Sequence, residues 1–380
     1  DAAALAIPGL DWENCGIGCE RADTRQGGSS IAQRPRLSTT IRNGVETTYL
    51  VQWQPFYYKP ERKRSVRNLS RIIDLTSGRT VAALQRVREP IQQSCNMREW
   101  SRENALHLEL ATGRLYAKGT FDLSTKRWIW QKPIREGVGV ETCFPLEFQN
   151  GGRTLYLCKT RIYASLEPGS SEVTLFEDLE DEYVAESGSD DADLAIWTEM
   201  KRYQRGSRVR GWAPDGAGSR TILDDLPGDT CSVGLSATRF AGAMIEATGR
   251  RGCDARFGKF SVWYADRNGT AAGSTVSFSP QITDRAIVLD KTTTAGEYIA
   301  VQVIQQEGKH EDRDNVIFVR TSDWATRWLP PLPGHAVYDH ALSTRYLYVA
   351  LTGWGADYGD HEAVYRYDLS KFDSIGEPLE

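Results

Sequence analysis

Val337-Tyr-Asp-His-Ala-Leu-Ser-Thr-Arg-Tyr-Leu-Tyr-Val-Ala-Leu-Thr352 is the stretch that decides the fold. Residues 337–341 and 346–352 are rich in β-branched and aromatic side chains, and Ser-Thr-Arg between them is a tight polar turn. Two such runs around a short turn read as a pair of antiparallel strands. Downstream, Tyr365-Arg-Tyr-Asp368-Leu-Ser-Lys371 adds a third aromatic strand that ends in a second turn signal.

The same order recurs along the chain. Ala286–Asp290, the turn Thr293-Thr-Ala-Gly296 and Tyr298–Ile304 repeat the first half. The second half returns at Ile72-Ile-Asp74-Leu-Thr-Ser-Gly78, Thr120-Phe-Asp122-Leu-Ser-Thr-Lys126 and Ser165–Val173. It returns again at Gly211-Trp-Ala-Pro214-Asp215-Gly-Ala-Gly218, Trp263-Tyr-Ala-Asp266-Arg-Asn-Gly269 and Val319–Trp324. The spacing is about 48 residues, a period that marks a repeat architecture. Each unit reads as four antiparallel strands, A to D, with tight A–B and C–D turns and a longer B–C loop. One such sheet buries its faces only by stacking on its neighbours, and no long stretch carries the helical period. The expectation is an all-β, seven-bladed β-propeller of four-stranded antiparallel blades over residues 36–380. Residues 1–35 form an N-terminal Cys-containing segment, of which residues 20–33 either lend a strand to the last blade or leave the ring to close without exchange. The recurring tryptophans (Trp53, Trp100, Trp130, Trp197, Trp212, Trp263, Trp328, Trp354) are read as sheet-to-sheet packing.

Asp-Leu-Ser/Thr-x-Gly/Lys at Asp74, Asp122 and Asp368, together with Ala-Pro-Asp-Gly at 213–216, resembles the turn motifs of TolB-type and WD-type propellers. The resemblance implies a bladed disc used as a docking platform. Thr321-Ser-Asp323-Trp-Ala325-Thr-Arg-Trp328 is similar to the Asp-box of sialidase-like propellers, with Ala325 where glycine belongs.

Composition narrows the function. The 380 residues are 40% hydrophobic and 26% charged with a net charge of −5, which excludes a disordered or collagen-like chain. The slight acidity argues against nucleic acid as a partner, and no apolar run approaches the roughly 18 residues of a membrane span. Arginine outnumbers lysine 35 to 11, a balance that suggests a GC-rich bacterial genome.

Seven cysteines stand at 15, 19, 95, 143, 158, 231 and 253, none in Cys-x-x-Cys spacing. Asn150-Gly151 is a hairpin signal, and folding about it sets Cys143 opposite Cys158. Pro145 lacks an N–H and raises the question of a bulge in that register. Cys231 and Cys253 bracket a strand-turn-strand stretch, Cys15 and Cys19 are close enough to join locally, and Cys95 is left over. Read as reduced thiols, these cysteines place the chain in the cytosol. Read as disulfides, which is preferred here, they place it in a secreted, periplasmic or cell-surface setting.

Antiparallel order puts the B–C and D–A loops on one face. There the sequence offers the basic residues Lys59, Arg62, Lys63, Arg64 and Arg67, and then Lys201, Arg202 and Arg205. It also offers the acidic residues Asp312, Asp314, Asp357 and Asp360. A face split this way steers a partner's orientation. Calcium is a candidate cofactor of the acidic stretch from Glu177 to Asp193, although Asp-x-Asp-x-Asp-Gly spacing is missing. Catalytic and phosphate-loop motifs are missing too, so a non-catalytic propeller that docks a protein partner is preferred. The alternative is a carbohydrate-binding or sialidase-like glycan-hydrolysing propeller.

Overall fold

Strand is the dominant state of the computed structural model. It describes residues 9–24, 34–42, 45–53, 68–86, 99–102, 105–112, 115–122, 127–131, 144–147, 154–165, 173–190, 194–213, 218–245, 253–256, 260–267, 276–278, 286–306, 312–329, 335–353 and 362–379. Two compact units divide the chain, residues 1–133 with 331–375 and residues 134–330 with 376–380.

In the first unit, two short strands come first, β1 (Glu13–Gly16) and β2 (Cys19–Asp23). Sheet 1 follows with β3 (Arg34–Arg42), β4 (Val45–Trp53), β5 (Asn68–Asp74) and β6 (Arg79–Arg86), in that order. Sheet 2 holds β7 (Glu99–Arg102), β8 (Ala105–Thr112), β9 (Leu115–Asp122) and β10 (Arg127–Gln131).

The second unit opens with sheet 3, built from β11 (Phe144–Glu147), β12 (Thr154–Cys158), β13 (Arg161–Ser165) and β14 (Val173–Asp178). Sheet 4 has β15 (Tyr183–Asp190), β16 (Ala195–Lys201), β17 (Ser207–Trp212) and β18 (Arg220–Leu226). In sheet 5, β19 (Asp229–Leu235) and β20 (Arg239–Ile245) come before β21 (Asp254–Arg256), which leaves to pair with the next sheet. β22 (Phe260–Asp266) and β23 (Val276–Phe278) complete sheet 5. Sheet 6 runs β24 (Ala286–Ala295), β25 (Tyr298–Gln306), β26 (Asp312–Arg320) and β27 (Ala325–Trp328), with β21 on its first edge.

Sheet 7 returns to the first unit with β28 (His335–Leu342), β29 (Tyr346–Gly353) and β30 (Ala363–Asp368). The short β31 (Glu377–Pro378) pairs with β27 at the far edge of sheet 6.

Burial follows position in the sheet. The first two strands of sheet 5 are buried along nearly their whole length, whereas the fourth strands of sheets 3 and 4 hold no more than one buried residue each. In the second unit the described core lies in interfaces between successive sheets. One cluster joins Ile196, Val209 and Leu223 of sheet 4 to Val233, Phe240 and Trp263 of sheet 5. Another joins Ala243, Ile245 and Val262 to Ile299, Val301 and Ile317 of sheet 6. Trp197, Trp212 and Trp263 all lie in these interfaces, in the packing role expected for them.

The recurring aspartate has a local cause. Asp74 Oδ1 accepts the Thr76 N–H at 2.8 Å, Asp323 Oδ1 that of Ala325 at 3.1 Å, and Asp368 Oδ1 that of Ser370 at 3.1 Å. Each is a side chain mimicking a backbone turn two residues on. The Asp323 turn is thus accounted for as turn chemistry. Trp324 within it adopts φ +60°, and its ring packs against Tyr264.

In the last repeat, however, Asp368 caps a short 3₁₀ helix, Leu369–Ser374, and no fourth strand follows directly. β2 takes that place, pairing antiparallel with β30 in the register Cys19↔Tyr367 to Asp23↔Ala363. Ala22 is fully buried in a cluster with Leu50 and Ile73 of sheet 1 and Ala350 and Val364 of sheet 7. Behind β2, the Thr24 carbonyl accepts from Gln52 Nε2 at 3.0 Å and Arg71 Nη2 at 3.1 Å. The strand that the sequence offered as a loan to the last repeat is thus paired there, over Cys19–Asp23.

Candidate functional site: the loop face of sheets 3 to 5

In sheet 4 the β16–β17 loop, residues 201–206, lies at the same end as the connections into β15 and β19. Its charged residues were read as contacts. The structure gives each of them a partner within the protein. Lys201 Nζ reaches Asp225 Oδ1 at 3.3 Å. Arg202 Nε donates to the Tyr183 carbonyl at 3.2 Å. Arg205 Nη1 donates to the Ile245 carbonyl at 3.0 Å and pairs with Asp229 Oδ2 at 3.4 Å, both in sheet 5. The Asp225 hydrogen bond raises the Lys201 pKa above the usual lysine value.

Beneath the loop lies a buried ion pair. Glu199 is fully buried and accepts from Arg208 Nε at 2.7 Å and from the Trp197 indole N–H at 2.8 Å. Arg208 also donates to Glu180 at 3.2 Å, and its guanidinium stacks 3.8 Å above the centre of the Tyr183 ring. Burial works against the Arg208 charge, and the two carboxylates overcome it, holding its pKa above the ordinary arginine value. Burial likewise raises the Tyr183 phenol, against the pull of Arg208.

Two consequences follow for the surface. Tyr203, at the tip of the braced loop, is 72% exposed, one of the few large apolar side chains in the described residues that stand in solvent. The residues that brace or adjoin the loop include several exposed acids. Asp225 is 85% and Glu180 58% exposed, with Asp181, Glu182 and Asp224 also exposed, while Lys201 and Arg208 are only 18% and 9% exposed. Asp225 further adopts φ +50°, a left-handed conformation that non-glycine residues seldom take and that aspartate tolerates better than most. Sequence alone singled out the acids from Glu177 to Glu182 only as a calcium candidate and gave Tyr203, Asp224 and Asp225 no role, because a charge run carries no sign of which way its side chains turn.

The other candidates are placed as follows. Lys59, Arg62, Lys63, Arg64, Arg67, Asp357 and Asp360 lie outside the described residues. Asp312 and Asp314 were expected in a loop but belong to β26, paired with Gln306 and Ile304. The acidic stretch from Glu177 is likewise no single loop: it ends β14, makes a turn, and continues as β15. Among the described residues, no group of three or more His, Cys, Asp or Glu is arranged to hold a metal ion.

Cys15–Cys19 and Cys231–Cys253 are disulfides, with Cα atoms 5.2 and 5.4 Å apart. Cys158 is disulfide-bonded; Cys143 and Cys95 lie outside the described residues. The β11–β12 register, Phe144↔Leu157 to Glu147↔Thr154, is the one the Asn150-Gly151 hairpin calls for, and it runs through Pro145 without a shift. Among the described residues, no helix is long and apolar enough to cross a membrane.

No protein-family model and no curated protein sequence matches this chain. Solved structures do. A prolyl endopeptidase superposes with a TM-score of 0.54 at 12% identity, over 90% of this chain and 49% of its own. An acylaminoacyl peptidase from Pyrococcus horikoshii gives 0.50 at 11% identity, over 91% and 54%. The β-propeller domain of the trilobed protease from Pyrococcus furiosus gives 0.49 at 12% identity, over 90% and 98%. The chain thus spans about half the length of the two peptidases. At such identity the likeness carries the fold alone, a resemblance to β-propeller domains.

Proposed function

We propose that this chain is a non-catalytic docking module that binds a protein partner outside the cytoplasm. In this reading it is a propeller of seven four-stranded blades over residues 36–380, with residues 1–35 as the segment that closes it. One observation carries the proposal: Tyr203 stands 72% exposed on a loop whose own charged residues are spent on bracing it. Tyrosine is favoured at binding hot spots, and a loop already fixed in place loses little further freedom on binding. The exposed acids that brace or adjoin the loop suit a partner surface with basic residues. The described disulfides support an oxidising compartment. The basic residues Lys59, Arg62, Lys63, Arg64 and Arg67 are proposed as a second contact.

The test uses the full chain as bait against a cell-envelope fraction, with wild type, Tyr203→Phe and Tyr203→Ala compared side by side. The phenylalanine variant should retain the partner. The alanine variant should lose it by at least tenfold, with an unchanged melting temperature and with wild-type binding that weakens as salt rises. Equal capture by wild type and Tyr203→Ala would remove the loop from the interface.

A further inference from the structure

Cys231 and Cys253 join two parts of the second unit that differ in exposure. Cys231 sits at a bulge in β19, 5% exposed within the apolar cluster between sheets 5 and 6. Cys253 is half-buried and immediately precedes β21. Its Sγ lies 3.8 Å from Glu186 Oε1, on the bulged strand β15 of sheet 4. The outer sulfur therefore faces a polar junction and the inner one faces core.

β21 is a poor strand by itself. It has three residues, paired as Asp254↔Val288, Ala255↔Ile287 and Arg256↔Ala286, and it covers the first edge of sheet 6. A pairing this short is marginal without a further tie, and an uncovered edge offers unpaired backbone groups to another strand. The covalent tie at Cys253, one residue upstream, supplies what the pairing lacks.

We infer that Cys253 is a thiol-exchange site, and that opening the Cys231–Cys253 bond by an external thiol releases β21 from the edge of β24. In the first step a thiolate RS⁻ attacks Cys253 Sγ. The new R–S–Sγ bond forms as the Sγ–Sγ bond breaks, and its electron pair leaves on Cys231 Sγ, which takes a proton from water. A second RS⁻ attacks the R sulfur of the mixed disulfide, giving RSSR and freeing Cys253 as thiolate. Two thiols are oxidised for one protein disulfide reduced. The reduced state is accommodated in the core, because the Cys231 sulfur lies 3.3 Å from the Asp229 carbonyl and its S–H has an acceptor there.

The test treats the native, full chain with glutathione and then with dithiothreitol, followed by alkylation, peptide mapping and amide hydrogen exchange. The mixed glutathione disulfide should form on Cys253. After full reduction, exchange at residues 254–256 and 286–288 should quicken at least tenfold, while the β25–β26 pairing keeps its protection. Glu186→Gln should speed the first step several-fold, because it removes a negative charge beside the attacked sulfur. A glutathione adduct on Cys231 would overturn the assignment of the site. So would a bond that resists dithiothreitol until the protein is unfolded. Reduction with unchanged exchange at both segments would overturn the release of β21. The Cys231→Ser/Cys253→Ser variant is a second probe of the open state, and reduced wild type serves alone if that variant does not fold.

Discussion

Replacing Arg208 by methionine should destabilise the protein by about 3–5 kcal/mol, the usual cost of leaving one member of a buried ion pair unpaired. The structure locates that cost. Glu199 is wholly shielded from water and would keep only the neutral Trp197 indole N–H as a donor. The bonds from Arg208 to the largely exposed Glu180 add little, since exposed pairs contribute about 0–1 kcal/mol. The guanidinium stacked on Tyr183 adds about 0.5–2 kcal/mol. If the loss is chiefly the stranded Glu199 charge, Arg208→Met/Glu199→Met should recover most of it, because apolar residues of similar volume replace such pairs at little cost. Arg208→Lys should not rescue, since a lysine lacks the Nε–H that reaches Glu199. The assay is urea unfolding of these four proteins and of Glu199→Met, followed by tryptophan fluorescence, with the coupling energy taken from the double-mutant cycle of the two methionine substitutions. A loss under about 1 kcal/mol for Arg208→Met, or a double variant no better than the single, would refute the reasoning.

Three further outcomes are expected. Gly234→Ala should cost about 1–3 kcal/mol in the same assay, because its Cβ would meet the Thr292 carbonyl oxygen where β19 and β24 approach. Asp74→Ala should cost about 0.5–1.5 kcal/mol, because it removes the acceptor of the Thr76 N–H and the Ser77 hydroxyl, while Asp74→Asn retains part of the turn. Burial raises the Glu186 pKa, so the folded state disfavours its charged form and the penalty sets in as pH climbs past the unfolded value. Glu186→Gln should therefore raise the melting temperature at pH 7 and leave it unchanged near pH 3; a shift of equal size at both would contradict that origin.

Local chemistry was legible in the sequence and long-range direction was not. Asn150-Gly151 specifies the pairing of β11 with β12 because a two-residue turn leaves only one register, and Asp74 and Asp323 announce turns because an aspartate can bond the backbone two residues on. Lys201, Arg205 and Arg208 were visible as charges, but their partners Asp225, Asp229 and Glu180 come into reach only once β16 and β17 have been laid beside their neighbours. The fourth strand of sheet 7 was hidden for a related reason. Cys19-Glu-Arg-Ala-Asp23 has little apolar alternation of its own, and its pairing partner lies at the opposite end of the chain. Only Ala22 faces the core, and one alanine carries almost no periodic signal.

The measurement that bears most directly on the loan of β2 to sheet 7 is amide hydrogen exchange of Cys19–Asp23 alongside Ala363–Asp368. Because β2 is hydrogen-bonded to β30, both segments should exchange slowly in native buffer, and Tyr365→Pro, which removes an N–H from β30, should speed them together. Exchange of residues 19–23 at the rate of an unstructured peptide, with residues 363–368 still protected, would contradict that pairing.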